Sequence, residues 1–408
     1  MGHSVSARRM NRISRSLRSG SAASVIAWLA LFPTEAEAQC AANPVGSSTI
    51  VCSGAVVVYS NTSNGLDVTV DPTATITVVP IAGGTALSLT GNNVTLTNNG
   101  SINAAAGPTF ATNGAIVGNT ATGSTVNVTN NGSITAGTSL LAGPALTVNN
   151  GVGGVSTIVN SGTIGAAGFA IGSAAVSTAG SGTVNFTNNY GGAINGSAVF
   201  AGGSSGNSFI NGGTITGGVS LGASAGALNS FTAMTGSSIG TTVDAGIGTN
   251  STLSLAQNSG GGSPTSGSIA IGSYTNFSNL SVQGGTWNIT GAWVPAAAST
   301  PVVTLGGGTA IVNLPGVFAT ASITGNGGAL QAGVAGLSLA NAINLTGGLA
   351  ISGSNGLTLS GAIGGAGGLT MGGAGTLTLT GANAYAGGTT LNGGGGLVLG
   401  NGLALGTG

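Results

Sequence analysis

The sequence predicts an all-β protein, a right-handed parallel β-helix (β-solenoid) rod that follows a cleaved signal peptide. Three observations predict it. A pattern of about thirty residues recurs along the chain, apolar residues alternate with Thr and Asn inside each copy, and no lysine, arginine or histidine occurs after Arg18. Internal repetition at this period is the mark of a solenoid.

The leader comes first. Arg8, Arg9, Arg12, Arg15 and Arg18 are the chain's five cations, and His3 is its single histidine. An apolar run from Ala22 to Phe32 follows, then Ala36-Glu37-Ala38. A basic stretch, an apolar run and an A-x-A site make a secretory signal peptide, with cleavage expected between Ala38 and Gln39. The run falls well short of the ~20 apolar residues a membrane span needs, so no membrane span is expected in this chain. Past the cleavage site only Asp67, Asp71 and Asp244 are charged, giving a formal charge of −3 before the termini. A chain without cations cannot neutralise phosphates, which excludes nucleic acid as an electrostatic partner and removes attraction to anionic lipid. Trypsin should leave the exported chain uncut even when it is unfolded, as gel electrophoresis after digestion in urea would show.

Cys40 and Cys52 lie just beyond the leader. In an exported protein they read as one small disulfide, worth about 3 kcal/mol in the chain-entropy model, stapling an N-terminal cap over residues 39–85. No third ligand stands nearby and the spacing is not C-x-x-C, which argues against a metal or redox pair.

Residues 86–290 carry the main repeat. Four segments share one pattern and close on Ile102, Ile134, Ile164 and Ile194, spaced 32, 30 and 30 residues apart. Weaker copies end at Ile215, Ile239 and Ile269. Each unit offers three short β-stretches. Alternation points Val94 and Leu96 one way and Thr95 and Thr97 the other, with Val126/Val128 and Val184/Phe186 repeating the inward set. Asn-Asn-Gly then marks a turn. One rung cannot bury its own apolar face, whereas stacked rungs can. Stacking sets Asn98/Asn99 over Asn130/Asn131, Asn160 and Asn188/Asn189, as side-chain amide ladders. A dozen rungs at ~4.8 Å would make a rod about 60 Å long. Disorder, the other reading of a Gly- and Ser-rich chain, fits poorly with so many alternating β-branched residues. Residues 291–320, with Pro295 and Pro301 behind Trp287 and Trp293, are expected to be an irregular joint. Residues 321–408 continue the solenoid as Gly-rich strands in another register.

Residues 368–408 add a specific motif. Gly375, Thr376, Leu377, Thr378, Leu379, Gly381, Asn383, Tyr385, Gly387, Thr389 and Thr390 resemble the autotransporter-associated β-strand repeat, with Met371 standing where the pattern usually has lysine. The resemblance covers about one-tenth of the chain. It implies a type V secretion passenger exported through Sec, at the cell surface, at the outer membrane or extracellular, with an adhesin-like or structural role. The outer-membrane β-barrel of such systems is expected downstream of Gly408 or in a separate chain, because no such barrel is seen in this sequence.

Chemistry is constrained by composition. Ser-His-Asp and Cys-His sites need a histidine and Ser-Lys sites a lysine, so no enzyme is expected. No cofactor-binding or metal-binding residues can be assigned. Asp67 and Asp71 share a strand face but lie ~13 Å apart, too far for one Ca²⁺ with ligands at ~2.4 Å. They read as solvated outer carboxylates, as does Asp244. Trp287 and Tyr385 read as packing residues. Neutral Thr, Asn and Ser faces suit glycans, matrix or like chains as partners. The alternatives are a truncated or orphan passenger, an inert spacer without a ligand, and an ice-binding solenoid. The last is weakened because Asn127 and Asn185 interrupt the Thr columns outside the row Thr376, Thr378 and Thr380.

Overall fold

The computed structural model describes residues 39–408 apart from 45, 79–83, 105–111, 138–142, 167–173, 202, 204, 223–227 and 249. The leader and Ala38 lie outside the described residues. The rest is an all-β, right-handed parallel β-helix. A 15-stranded sheet spans most of it, from Gln39–Ala42 to Ile363–Gly365. Beside it, a nine-stranded sheet ends at Tyr274–Thr275 and an eight-stranded sheet ends at Ser238–Ile239. A seven-stranded sheet starting at Ser266–Ala270 and a four-stranded sheet starting at Leu337–Leu339 follow. Strand order follows chain order within every sheet, and beyond the first pair, Gln39–Ala42 with Thr49–Ser53, the other faces are visited between successive neighbours. That is coil-by-coil winding with the right-handed crossover expected of parallel strands.

Alternation sets the core. Along Val94–Asn98, Val94 and Leu96 are buried and Thr95 and Thr97 point outward. Their register partners one rung on are Val126, Val128, Asn127 and Thr129. The inward column continues through Ile158, Phe186, Phe209, Phe231 and Leu253. Phe186 stacks on Phe209 at a centroid distance of 4.7 Å, and Phe209 on Phe231 at 5.5 Å. The closing isoleucines form their own column in the eight-stranded sheet, from Ile102 through Ile134, Ile164, Ile194 and Ile215 to Ile239. Ile269 departs from expectation. It pairs with Ile289 in the seven-stranded sheet, because the isoleucine sheet has ended at Ile239 and the chain has turned onto a new face.

A buried amide ladder runs parallel to these columns. Asn98 Nδ2 donates to Asn130 Oδ1 at 2.7 Å, Asn130 to Asn160 at 2.7 Å, Asn160 to Asn188 at 2.8 Å and Asn188 to Asn211 at 2.9 Å. All five residues are fully buried. The second N–H of each amide meets a backbone carbonyl of the next rung, such as Ser133, Thr163 and Ala193. Buried amides must be satisfied in this way. The ladder has a direction, and at its first member Asn98 Oδ1 finds no donor, since Val70 occupies the register position below. The other asparagine of the turn stacks on the outside, with Asn131 donating to Asn99 at 2.8 Å.

The glycine of the same turn is required by close approach. A Cβ on Gly132 would strike the Gly100 carbonyl oxygen, and one on Gly162 would strike that of Gly132. Backbone cannot yield as a side chain tip can. Gly162→Ala is expected to lower stability by roughly 1–3 kcal/mol. Gly348→Ala, whose Cβ would meet nothing within 4 Å, should change it by no more than about 0.5 kcal/mol. The two denaturation midpoints measure the contrast.

Rung length varies, and it shortens along the ladder. Ladder partners are 32, 30, 28 and 23 residues apart, whereas Asn383 bonds the Ile363 N–H across 20. Within 291–320, Val302–Leu305 and Thr309–Val312 hold regular places in the 15- and seven-stranded sheets. The flanking stretches 291–301 and 313–321 contain no strand, and in the first the Ser299 hydroxyl closes a turn on the Ala296 carbonyl at 2.7 Å. A single-turn 3-10 segment, Ile271–Ser273, stands where one face gives way to another. At the start of the new face Trp287 lies against Gly267, where a Cβ would come within 2.7 Å of the indole. The Trp287 N–H is satisfied by the Gly284 carbonyl at 3.0 Å.

Candidate functional surface

The N-terminal end is closed covalently. Gln39–Ala42 pairs antiparallel with Thr49–Ser53, placing Cys40 opposite Cys52, and the two are joined as a disulfide. Cys52 is fully buried. The first strand therefore covers the edge that the stack would otherwise present, which is how solenoids manage an open end.

Most motif residues of the C-terminal repeat are packing residues, the threonines excepted. Leu377 and Leu379 point inward between Leu357/Leu359 and Leu397/Leu399. Met371 is buried in a column between Ile351 and Leu391. Cβ atoms on Gly375, Gly381 and Gly387 would collide with the backbone of the rung below. Asn383 bridges three rungs, accepting from the Ile363 N–H at 2.9 Å and donating to the Ala404 carbonyl at 2.7 Å. Tyr385 is fully buried and its hydroxyl bonds the Thr389 hydroxyl. Thr376 and Thr390 are exposed and Thr378 is half-buried. The motif specifies a 20-residue rung and brings no reactive group to the surface.

The same use of asparagine occurs at two positions that repeat reading missed. Asn207 accepts from the Val184 N–H at 2.8 Å and donates to the Leu221 carbonyl at 2.8 Å. Asn229 accepts from the Asn207 N–H at 2.6 Å and donates to the Ala245 carbonyl at 2.7 Å. Their signal is faint, a single Asn two residues before an inward Phe.

The outward faces carry almost no charge. Two outward columns run up the 15-stranded sheet. One reads Asp67, Thr95, Asn127, Thr157, Asn185, Ser208 and Ser230. The other reads Thr69, Thr97, Thr129, Val159, Thr187, Ile210 and Thr232. Val159 and Ile210 break the second column as Asn127 and Asn185 break the first. Asp67 is exposed and Asp71 half-buried. Asp244 differs from the solvated carboxylate expected. It is half-buried and accepts from the Gly246 N–H at 2.8 Å and from Asn276 Nδ2 at 2.7 Å, so it fixes a turn. Among the described residues no three His, Cys, Asp or Glu side chains come together to hold a metal. No described helix is long and apolar enough to cross a membrane.

The fold and these surfaces define a structural β-solenoid that carries a short autotransporter-associated repeat. The passenger-associated-transport-repeat family model matches residues 369–399, the segment in which those packing roles lie. No curated protein and no solved structure matches the chain.

Proposed function

We propose that the chain is an exported, cell-surface or secreted β-helical passenger of a type V system, with an adhesive or structural role and no catalysis. The passenger-associated-transport-repeat match supports this reading most directly. Three further observations support it. The leader has the form of a Sec signal peptide, a disulfide stands beside the expected cleavage point, and the long outer faces offer hydroxyls and amides with almost no charge. Such a face makes many weak hydrogen bonds and little electrostatic steering, which suits extended neutral ligands such as glycans, matrix or like chains. Low net charge also favours self-association.

Proteinase K treatment of intact cells tests the reading; trypsin would not serve, because no Lys or Arg follows Arg18. The expected result is digestion of the chain in unpermeabilised cells, with a mature N-terminus at Gln39 by Edman sequencing. A chain that is protected until the cells are lysed, and that still begins with its arginine-rich leader, would overturn the proposal.

A further inference from the structure

Two departures from the repeat, far apart in sequence, meet at one place. The first is in the turn after the ladder residue. Asn98, Asn130 and Asn160 are each followed by one residue and then glycine, whereas Asn188 is followed by Asn189-Tyr190-Gly191-Gly192. Gly191 takes φ +84° and Gly192 N–H closes the turn on the Asn189 carbonyl at 2.9 Å. The insertion leaves the Tyr190 side chain 47% exposed. In the second, the segment Gln257–Thr265 leaves the strand Thr252–Ala256 and folds back along the stack. Asn258 pins it. The amide Nδ2 reaches the Gly212 carbonyl at 3.5 Å across 46 residues, its backbone N–H bonds Thr235 Oγ1 at 2.9 Å, and its Oδ1 accepts from Gly260 N–H at 3.2 Å. The loop comes up beside the tyrosine, for a Cβ on Gly260 would be 3.7 Å from Tyr190 Cβ.

Between them lies a groove of about 620 Å³, within the ~300–1,000 Å³ of small-ligand sites. Half-buried Thr187, Ile210 and Met234 from three successive rungs form its floor. Tyr190 and Asn189 form one wall and Ser259 stands in the other. Asn189 Nδ2 donates to Ser161 Oγ at 2.8 Å, which orients its amide while its carbonyl oxygen still has capacity to accept.

The chemistry of this lining selects a ligand class. It contains no charged side chain, so neither an anion nor a cation gains from entering. It offers one half-exposed aromatic ring, two apolar floor residues and several amide and hydroxyl groups. A pyranose ring has the complementary make-up, with an apolar C–H face to lie on a phenol ring and equatorial hydroxyls to exchange hydrogen bonds at its edge. We propose that the groove between Tyr190 and the 257–265 loop binds a neutral hexose unit of a glycan, with the sugar face on the Tyr190 ring and its hydroxyls on Asn189, Thr187 and Ser259. This names a ligand class for the adhesive reading and rests on that reading only for the glycan lying outside the cell.

The test is binding of the full chain to an array of neutral, sialylated and sulfated oligosaccharides, followed by calorimetric titration of the best neutral oligosaccharide. Binding is expected in the neutral set and should be insensitive to salt. Tyr190→Ala, at an exposed position, should keep the circular dichroism spectrum and weaken binding roughly tenfold, the scale of one lost stacking contact. Tyr190→Phe should bind nearly as wild type. Absence of any neutral ligand, binding confined to charged glycans, or wild-type affinity in Tyr190→Ala would each overturn the groove. In the last case a glycan is still bound and the adhesive reading stands. Failure of the chain to reach the cell surface would overturn the passenger reading without touching the titration.

Discussion

Asn160→Ala should destabilise the rod by roughly 2–6 kcal/mol. The residue sits in the middle of the buried ladder, accepting from Asn130 at 2.7 Å and donating to Asn188 at 2.8 Å and to the Ala193 carbonyl at 3.3 Å. Truncation strands the Asn130 N–H below and the Asn188 carbonyl oxygen above, and each unmet buried group costs ~1–3 kcal/mol. Asn160→Asp should be worse. It retains an acceptor for Asn130 but loses the donor to Asn188 and buries a carboxylate in a rod with no cation among its residues, the circumstance in which burying charge is most costly. Asn131→Ala is the control, because its bond to Asn99 lies on the exposed side of the same turn and should be worth a few tenths of a kcal/mol, on the order of a surface substitution. Urea titrations followed by circular dichroism rank the three variants. Equal midpoints for Asn160→Ala and Asn131→Ala would remove the ladder from the account of stability.

The second large effect is expected at Phe209, where alanine should cost about 3–5 kcal/mol. Phe209 is fully buried and stacks between Phe186 at 4.7 Å and Phe231 at 5.5 Å, with Phe200 at 5.8 Å from the adjoining face. Parallel strands fix its neighbours at one-rung spacing, so the hole cannot close by moving one side chain. The stacking pairs add ~0.5–1.5 kcal/mol each beyond buried area. Phe209→Leu keeps most of the volume and should lose about 1–2 kcal/mol. The loss should appear as faster amide exchange in the strands Thr183–Asn188 and Ser230–Met234 that flank it. The strands around Leu377 should keep their protection, because a solenoid passes instability only to neighbouring rungs.

The first half of the stack is legible in the sequence for a physical reason. In a parallel solenoid, residues in register are chemically alike, and Val94/Leu96/Asn98 over Val126/Val128/Asn130 states its own pairing. The ladder's last member is harder to find. Asn211 follows Asn188 after only 23 residues, and the repeat text around it has shrunk to NGGTI. The phenylalanine column is half visible, since Phe186 belongs to a clear repeat while Phe209 and Phe231 sit in short rungs with little flanking pattern. Exchange of the side sheets between Ser238–Ile239 and Leu337–Leu339 leaves almost no local mark. Ile269 carries the same Gly-Ser-Ile ending as a closing isoleucine and stacks on a different face. The Tyr190 groove is the least legible feature. The segment 257–265 is Gly- and Ser-rich with no periodicity, and its attachment to Gly212 depends on how many rungs intervene.

Composition and architecture explain one another here. A charge repeated in register would stack into a repelling column, whereas Thr, Asn and Gly stack at one-rung spacing without that cost. Where Asp does occur, it stands alone in its column, as Asp67 does between Thr49 and Thr95, or caps a turn, as Asp244 does through Gly246 and Asn276. The neutrality that makes stacking possible also sets the chemistry of the outer faces.

Side-chain amide exchange in protein labelled with ¹⁵N-asparagine reports whether columns of like residues hold the rod in one register. Slow exchange is expected for the Nδ2 protons of Asn98, Asn130, Asn160, Asn188 and Asn211, and fast exchange for those of Asn99, Asn131 and Asn189, each assigned in the unsubstituted chain through its contacts with neighbouring side chains. Equal exchange in the two sets would contradict the register.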